Sequence, residues 1–91
     1  SRVVDIVKEL VDYGCRVDVY DPWAGSDDVK HEYGFPLVGE DVLRAGGYDA
    51  VVLAVAHEKF KALDVAGFKN EHGVIYDVKS FLDLKIVDGR L

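Results

Sequence analysis

YDAVVLAVAHEKF, residues 48–60, is the stretch on which the fold of this chain turns. Residues 50–56 are apolar without a break. No polar residue recurs at every second position to mark a wetted face, so the run predicts a strand covered on both sides, in the middle of a parallel sheet. It stops at His57, Glu58 and Lys59, where a loop leaves the carboxyl end of the strand. That end is where open α/β sheets place their ligands. The same residues also suit an ordinary buried strand followed by a solvated helix start.

Toward the amino terminus, Val3, Ile6, Val7 and Leu10 recur at helical spacing, with Val4 and Val11 widening the stripe. Asp5, Lys8, Glu9 and Asp12 take the opposite face, which predicts an amphipathic helix with Ser1 as N-cap and Gly14 as stop. RVDVYDP follows, Val17 and Val19 alternating with Arg16 and Asp18, and Asp21-Pro22 ends the extended run. Beyond Trp23, Ser26 can cap a short helix through Tyr33, residues 36–38 can form a very short edge strand, and residues 41–45 a brief helix ended by Gly46-Gly47.

Toward the carboxyl terminus, Phe60, Leu63 and Val65 make an interrupted helical pattern, and Gly67 and Gly73 bracket a polar loop. Residues 74–78 predict the next strand, and Ile86-Val87, before Asp88-Gly89, a last one. Short strands alternating with helices predict an α/β fold: a Rossmann-like three-layer parallel sheet with helices on both faces. If the first helix is a crossover, the strand before it is absent, and in the strand order of such folds that strand lies at the centre. The expectation is a single truncated domain over residues 1–91, with a vacant slot between residues 17–20 and 51–55. Another chain can also close such a gap, because unpaired strand edges invite pairing.

At 91 residues the chain is one domain at most, and short for a complete doubly wound sheet. Its hydrophobic fraction of 49% is that of a folded globular protein, with no apolar run long enough to span a bilayer. A formal charge of -6 argues against nucleic acid or an anionic membrane as the main partner, since the long-range term is repulsive. Any bound phosphate must be held locally. The lone Cys15 fits a reducing cytoplasm, and no basic, apolar leader opens the chain.

Candidate chemistry sits in loops at strand ends. Asp21 lies where a dinucleotide-binding unit places the acid that holds a ribose hydroxyl, but Asp21-Pro22 is equally an ordinary turn. Neither a G-x-G-x-x-G nor a phosphate-loop motif occurs in the chain. His57 stands where a ligand crevice opens, or simply starts a helix. Lys79, closing YDVKS, can place its ammonium over the same crevice or be a solvated surface residue, and Trp23 can stack on a flat ring or plug its loop. His31, His57 and His72 lack metal-ligand spacing, so no metal is assigned. Cys15, between a helix stop and a strand, is read as a small buried hydrophobe.

The runs VVDIVKEL, VDVYDPW, YDAVVLAVAHEKF and VIYDVKSFLD together resemble the C-terminal UDP-binding domain of the UDP-glucose/GDP-mannose dehydrogenase family, over nearly the whole chain and in order. DPW and AVAH-x-x-F look most like members acting on UDP-N-acetylhexosamines. The resemblance implies a parent with an N-terminal NAD-binding domain, a helical middle that builds a homodimer or higher oligomer, and this domain holding the UDP part of the substrate. It implies a cytoplasmic, NAD-dependent 6-dehydrogenase of polysaccharide biosynthesis, oxidising a sugar alcohol to a carboxylate through a cysteine thiohemiacetal. That family's catalytic cysteine precedes this domain, so Cys15 does not match it, and the chain alone is expected to be inactive. Of the family's F-K loop and R-N-[ST] motif only Ser1 remains. Asp21 and Pro22 match the family's turn beside the nucleotide, and His57 the histidine of the AVxH subgroup. Lys79 matches a basic position where arginine is frequent, and a lysine cannot make arginine's bidentate contact. The competing readings are an NAD-binding Rossmann unit with Asp21 on the ribose, and a receiver-like signalling module with Asp21 as phosphoacceptor and Lys79 as switch.

Overall fold

The computed structural model describes residues 2–22 and 34–91. It divides into two compact units, Ser1–Glu40 and Asp41–Leu91. The helix expected over residues 26–33, and Trp23 and His31, lie outside the described residues.

The first unit opens with α1 (Arg2–Asp12). Most of its apolar stripe behaves as expected: Val7 is buried and Val3, Val4, Ile6 and Leu10 are half-buried, while Asp5, Lys8, Glu9 and Asp12 are exposed, but Val11, expected to widen the stripe, is exposed. The end is a Schellman motif, with Cys15 N–H donating to Leu10 O at 3.0 Å and Gly14 N–H to Val11 O at 2.9 Å. Gly14 adopts φ 90°, a left-handed conformation that a side chain resists. Residues 15–20 keep the expected alternation, Val17 and Val19 half-buried and Arg16 and Asp18 exposed. They form no ladder, however. Among the described residues, a backbone bond from Val38 N–H to Val19 O at 2.9 Å links the expected strand with the expected edge strand at residues 36–38. Cys15 is exposed, not a buried hydrophobe, because the Schellman turn fixes its backbone outside the packed stripe.

The helix α2 (Glu40–Ala45), all but its first residue in the second unit, closes at Gly46, whose N–H donates to Leu43 O at 3.0 Å. A parallel three-stranded sheet follows: β1 (Tyr48–Leu53), β2 (Lys69–Asp77) and β3 (Gly89–Arg90), in that spatial order. Two short 3-10 turns, Glu58–Ala62 and Val65–Phe68, make the crossover from β1 to β2. A parallel sheet with helical connections is the α/β, Rossmann-like class.

Four expectations need correction. The central strand ends at Leu53 and lies at one edge of this sheet. It is also covered on one face only: Val51 and Leu53 turn inward with Gly73, Ile75 and Asp77, whereas Ala50, Val52, Val74 and Tyr76 are exposed. Both faces are apolar, but the second unit supplies cover for one. Next, the polar loop expected between Gly67 and Gly73 is largely strand. Asn70 ties it down, its Nδ2 donating to Asp49 Oδ1 at 2.5 Å and its Oδ1 accepting from His72 N–H at 3.0 Å. Last, Ile86 and Val87 lie in a turn, donating to Asp83 O and Leu84 O, and β3 starts two residues later. Asp88 makes that junction by pairing with Ile75 twice: its Oδ2 accepts from Ile75 N–H at 2.8 Å and its own N–H donates to Ile75 O at 2.9 Å.

The core lies under the covered face, where Val65, Phe68 and Ile75 are buried against Leu43, Val51, Leu63, Leu82 and Val87. The β1–β2 register slips between the pairs Tyr48↔Lys69 and Ala50↔Val74. Gly73 sits at the slip, where a Cβ would lie 2.7 Å from Tyr48 O and 2.8 Å from Lys69 Cβ. Gly73→Ala is therefore expected to destabilise the chain by about 2 kcal/mol through forced backbone displacement. A denaturant midpoint lowered accordingly checks this, and an unchanged midpoint refutes it.

Candidate functional site

β1 and β2 run parallel and end together, Leu53 opposite Asp77, and Val78 N–H donates to Leu53 O at 3.0 Å one residue further on. Residues 54–57 and 78–82 therefore leave the same edge of the sheet, the carboxyl edge at which α/β folds hold ligands. His57 and Lys79 are brought to that edge together. Asp21 and Pro22, both half-buried, follow residues 15–20 in the first unit.

His57 caps the first 3-10 turn. Its Nδ1 accepts from Lys59 N–H at 3.0 Å, with its own backbone extended at φ -119°, ψ 130°. A ring accepting at Nδ1 carries its proton on Nε2, so the capping bond sets the tautomer. The imidazole also leans on buried Phe60, ring centroids 5.5 Å apart. The helix-start reading of His57 thus describes what it does, and its orientation at the edge follows from the same bond.

The loop after β2 is organised by a residue absent from the sequence-derived candidates. Asp77 is fully buried. Its Oδ1 accepts from Lys79 N–H at 3.0 Å, and its Oδ2 accepts from Phe81 N–H and Leu82 N–H, each at 2.6 Å. A buried carboxylate is tolerable only when hydrogen-bonded, and these donors satisfy it. The signal was legible in GVIYDVKS: Asp77 shares the strand parity of Ile75, and an acid on a core-facing position demands local donors.

The loop is braced on its far side as well. Ser80 adopts φ 53° and its Oγ donates to Leu91 O at 2.7 Å. Lys61, from the turn after β1, places Nζ 4.5 Å from the centroid of the Phe81 ring and 3.8 Å from Glu58 Oε1. That cation–π contact joins the two loops across the edge. Between them Phe60, Leu63, Phe81, Leu82 and Ile86 line a cavity of about 290 Å³. Lys79 itself is exposed, on a backbone anchored by Asp77.

The N–H groups of Lys79, Phe81 and Leu82 are bonded to Asp77, and no glycine lies in residues 54–57 or 78–82. The exposed Lys79 side chain is therefore a cationic group this loop offers to an anion. Among the described residues no group of three His, Cys, Asp or Glu could hold a metal ion, and no helix is long and apolar enough to cross a membrane.

Comparison with known proteins agrees with the resemblance in the sequence. The UDP-N-acetyl-D-glucosamine 6-dehydrogenase of Salmonella typhi is 40% identical over 94 residues, and that of Pseudomonas aeruginosa 45% identical over 95, each covering the whole of this chain and 22% of the relative. Protein CapL of Staphylococcus aureus is 27% identical over 85 residues, covering 91% of this chain and 20% of its own length. The chain thus spans about a fifth of the length of the curated relatives it matches. No solved structure matches it significantly. The profile described as the UDP-glucose/GDP-mannose dehydrogenase family, UDP binding domain, matches residues 1–84, and the chain belongs to that family.

Proposed function

We propose that residues 1–91 act as one domain that grips the UDP tail of a UDP-sugar, with Lys79 meeting the diphosphate at the carboxyl edge of the sheet. The observation that carries the reading is the loop after β2. Its Lys79, Phe81 and Leu82 N–H groups are bonded to Asp77, which leaves the exposed Lys79 ammonium as a cation the loop presents to an anion. His57, held by its capping bond, orients the neighbouring loop. The names of the Salmonella typhi and Pseudomonas aeruginosa relatives support UDP-N-acetylglucosamine, or another UDP-N-acetylhexosamine, as the substrate of the parent.

In this reading the domain performs no chemistry. Binding energy from the nucleotide, remote from the reacting carbon, holds the sugar for oxidation at C6 elsewhere in the parent. NAD supplies the hydride acceptor and is held by another domain of the parent. The parent is a cytoplasmic dimer or larger assembly serving polysaccharide synthesis. The competing readings, an NAD-binding unit and a receiver-like module, gain no support from the family match.

Lys79→Ala is expected to weaken UDP binding by about tenfold, as loss of a charged hydrogen bond does, and Lys79→Arg to retain most of the affinity. Calorimetric titration of UDP into the three forms measures this. Equal affinities for Lys79→Ala and the parent chain would remove Lys79 from the site.

A further inference from the structure

We infer that Asp77 is a positioning residue of the nucleotide site, one that aims Lys79 without touching the ligand. The inference rests on the reading of Lys79 as the phosphate contact. Asp77 is the last residue of β2 and wholly buried, in a strand whose other core-facing residues are Gly73 and Ile75. An apolar side chain would fill that position more simply. The carboxylate instead gathers the N–H groups of Lys79, Phe81 and Leu82, bonds stronger than those between neutral groups.

Two consequences follow for an anion at the edge. Three backbone N–H dipoles face the carboxylate, so it is held behind the loop and turned toward its own backbone, not toward the ligand. The backbone of Lys79 is also pinned. A lysine side chain has four rotatable bonds, and an ammonium that swings from a fixed Cα samples far less space than one that swings from a loose loop. Ser80 Oγ on Leu91 O and Lys61 over Phe81 fix the downstream side of the same loop, so Asp77 completes a frame around Lys79.

Asp77→Asn separates this role from general support. An amide has one acceptor oxygen. Turned toward Phe81 and Leu82 it keeps their bonds, but it then sets its NH₂ against Lys79 N–H and releases that residue alone. A double-mutant cycle on UDP affinity, measured in the full chain for the wild type, Asp77→Asn, Lys79→Ala and the pair, gives the test. The expected result is about tenfold weaker binding for each single variant and no further loss in the pair. If Lys79→Ala weakens binding and Asp77→Asn adds an independent loss, or has no effect, the positioning role is overturned while the Lys79 contact stands. If Lys79→Ala changes nothing, both fall. Should Asp77→Asn fail to fold by circular dichroism, Asp77→Glu, which keeps the charge and displaces it by one methylene, is run through the same cycle with the same expected non-additivity.

Discussion

Asp77→Ala is expected to lower the stability of the chain by about 3 kcal/mol, the largest effect of any polar substitution considered. Three N–H donors lose their acceptor at once, and an unmet buried donor costs about 1–3 kcal/mol. The sum is not fully realised because residues 79 and 80 are exposed, so part of the loop can turn its donors to water. Phe81 and Leu82 are half-buried and have less access to solvent, which keeps the cost high. The loss is read as a lowered urea midpoint with the slope unchanged. A midpoint within a few tenths of a kcal/mol of wild type would show that the carboxylate carries no structural burden.

Ile75→Ala is expected to cost about 2–5 kcal/mol, a large share of the stability of so small a chain. Ile75 is entirely buried and packs with Val65 and Phe68, the inner residues of the second unit. Its backbone is fixed from both sides, the N–H by Asp88 Oδ2 and the carbonyl by Asp88 N–H, so the strand is held against shifting to fill the cavity. Ile75→Val, which removes one methylene, is expected to cost about 1 kcal/mol. Comparable losses for the two variants would mean the site collapses freely and that this core is less tightly packed than its burial implies.

Much of this was legible in the residues. The α1 stripe and its Gly14 stop are local patterns, and helix periodicity and left-handed glycine are local physics. The polar residues from His57 onward marked a loop, but the strand ends earlier, at Leu53, so the length of the apolar run overstated the strand. What failed was non-local. Apolar residues on both faces of residues 50–56 express a need for cover on two sides, yet they cannot state whether cover is present, and Val52 and Val55 are exposed.

The start of β2 was hidden for a different reason. Lys69, Asn70, Glu71 and His72 read as loop by polarity, and they are held in the strand by the bonds of Asn70 to Asp49 and to His72 N–H. At the candidate site, Lys79 and His57 were visible as polar residues after strands, whereas Asp77 was passed over as part of a strand. Its parity with Ile75 was the clue, and its meaning depends on where three later N–H groups fold.

A uridine diphosphate is proposed to sit at the edge where β1 and β2 end, and an amide-resolved NMR titration of the chain with UDP and, separately, with NAD tests that placement directly. Saturable shifts at residues 57–61 and 78–82 with UDP, and none with NAD at the same concentration, are the expected result. Shifts at these residues with NAD and not with UDP, or UDP shifts confined to other parts of the chain, would contradict it.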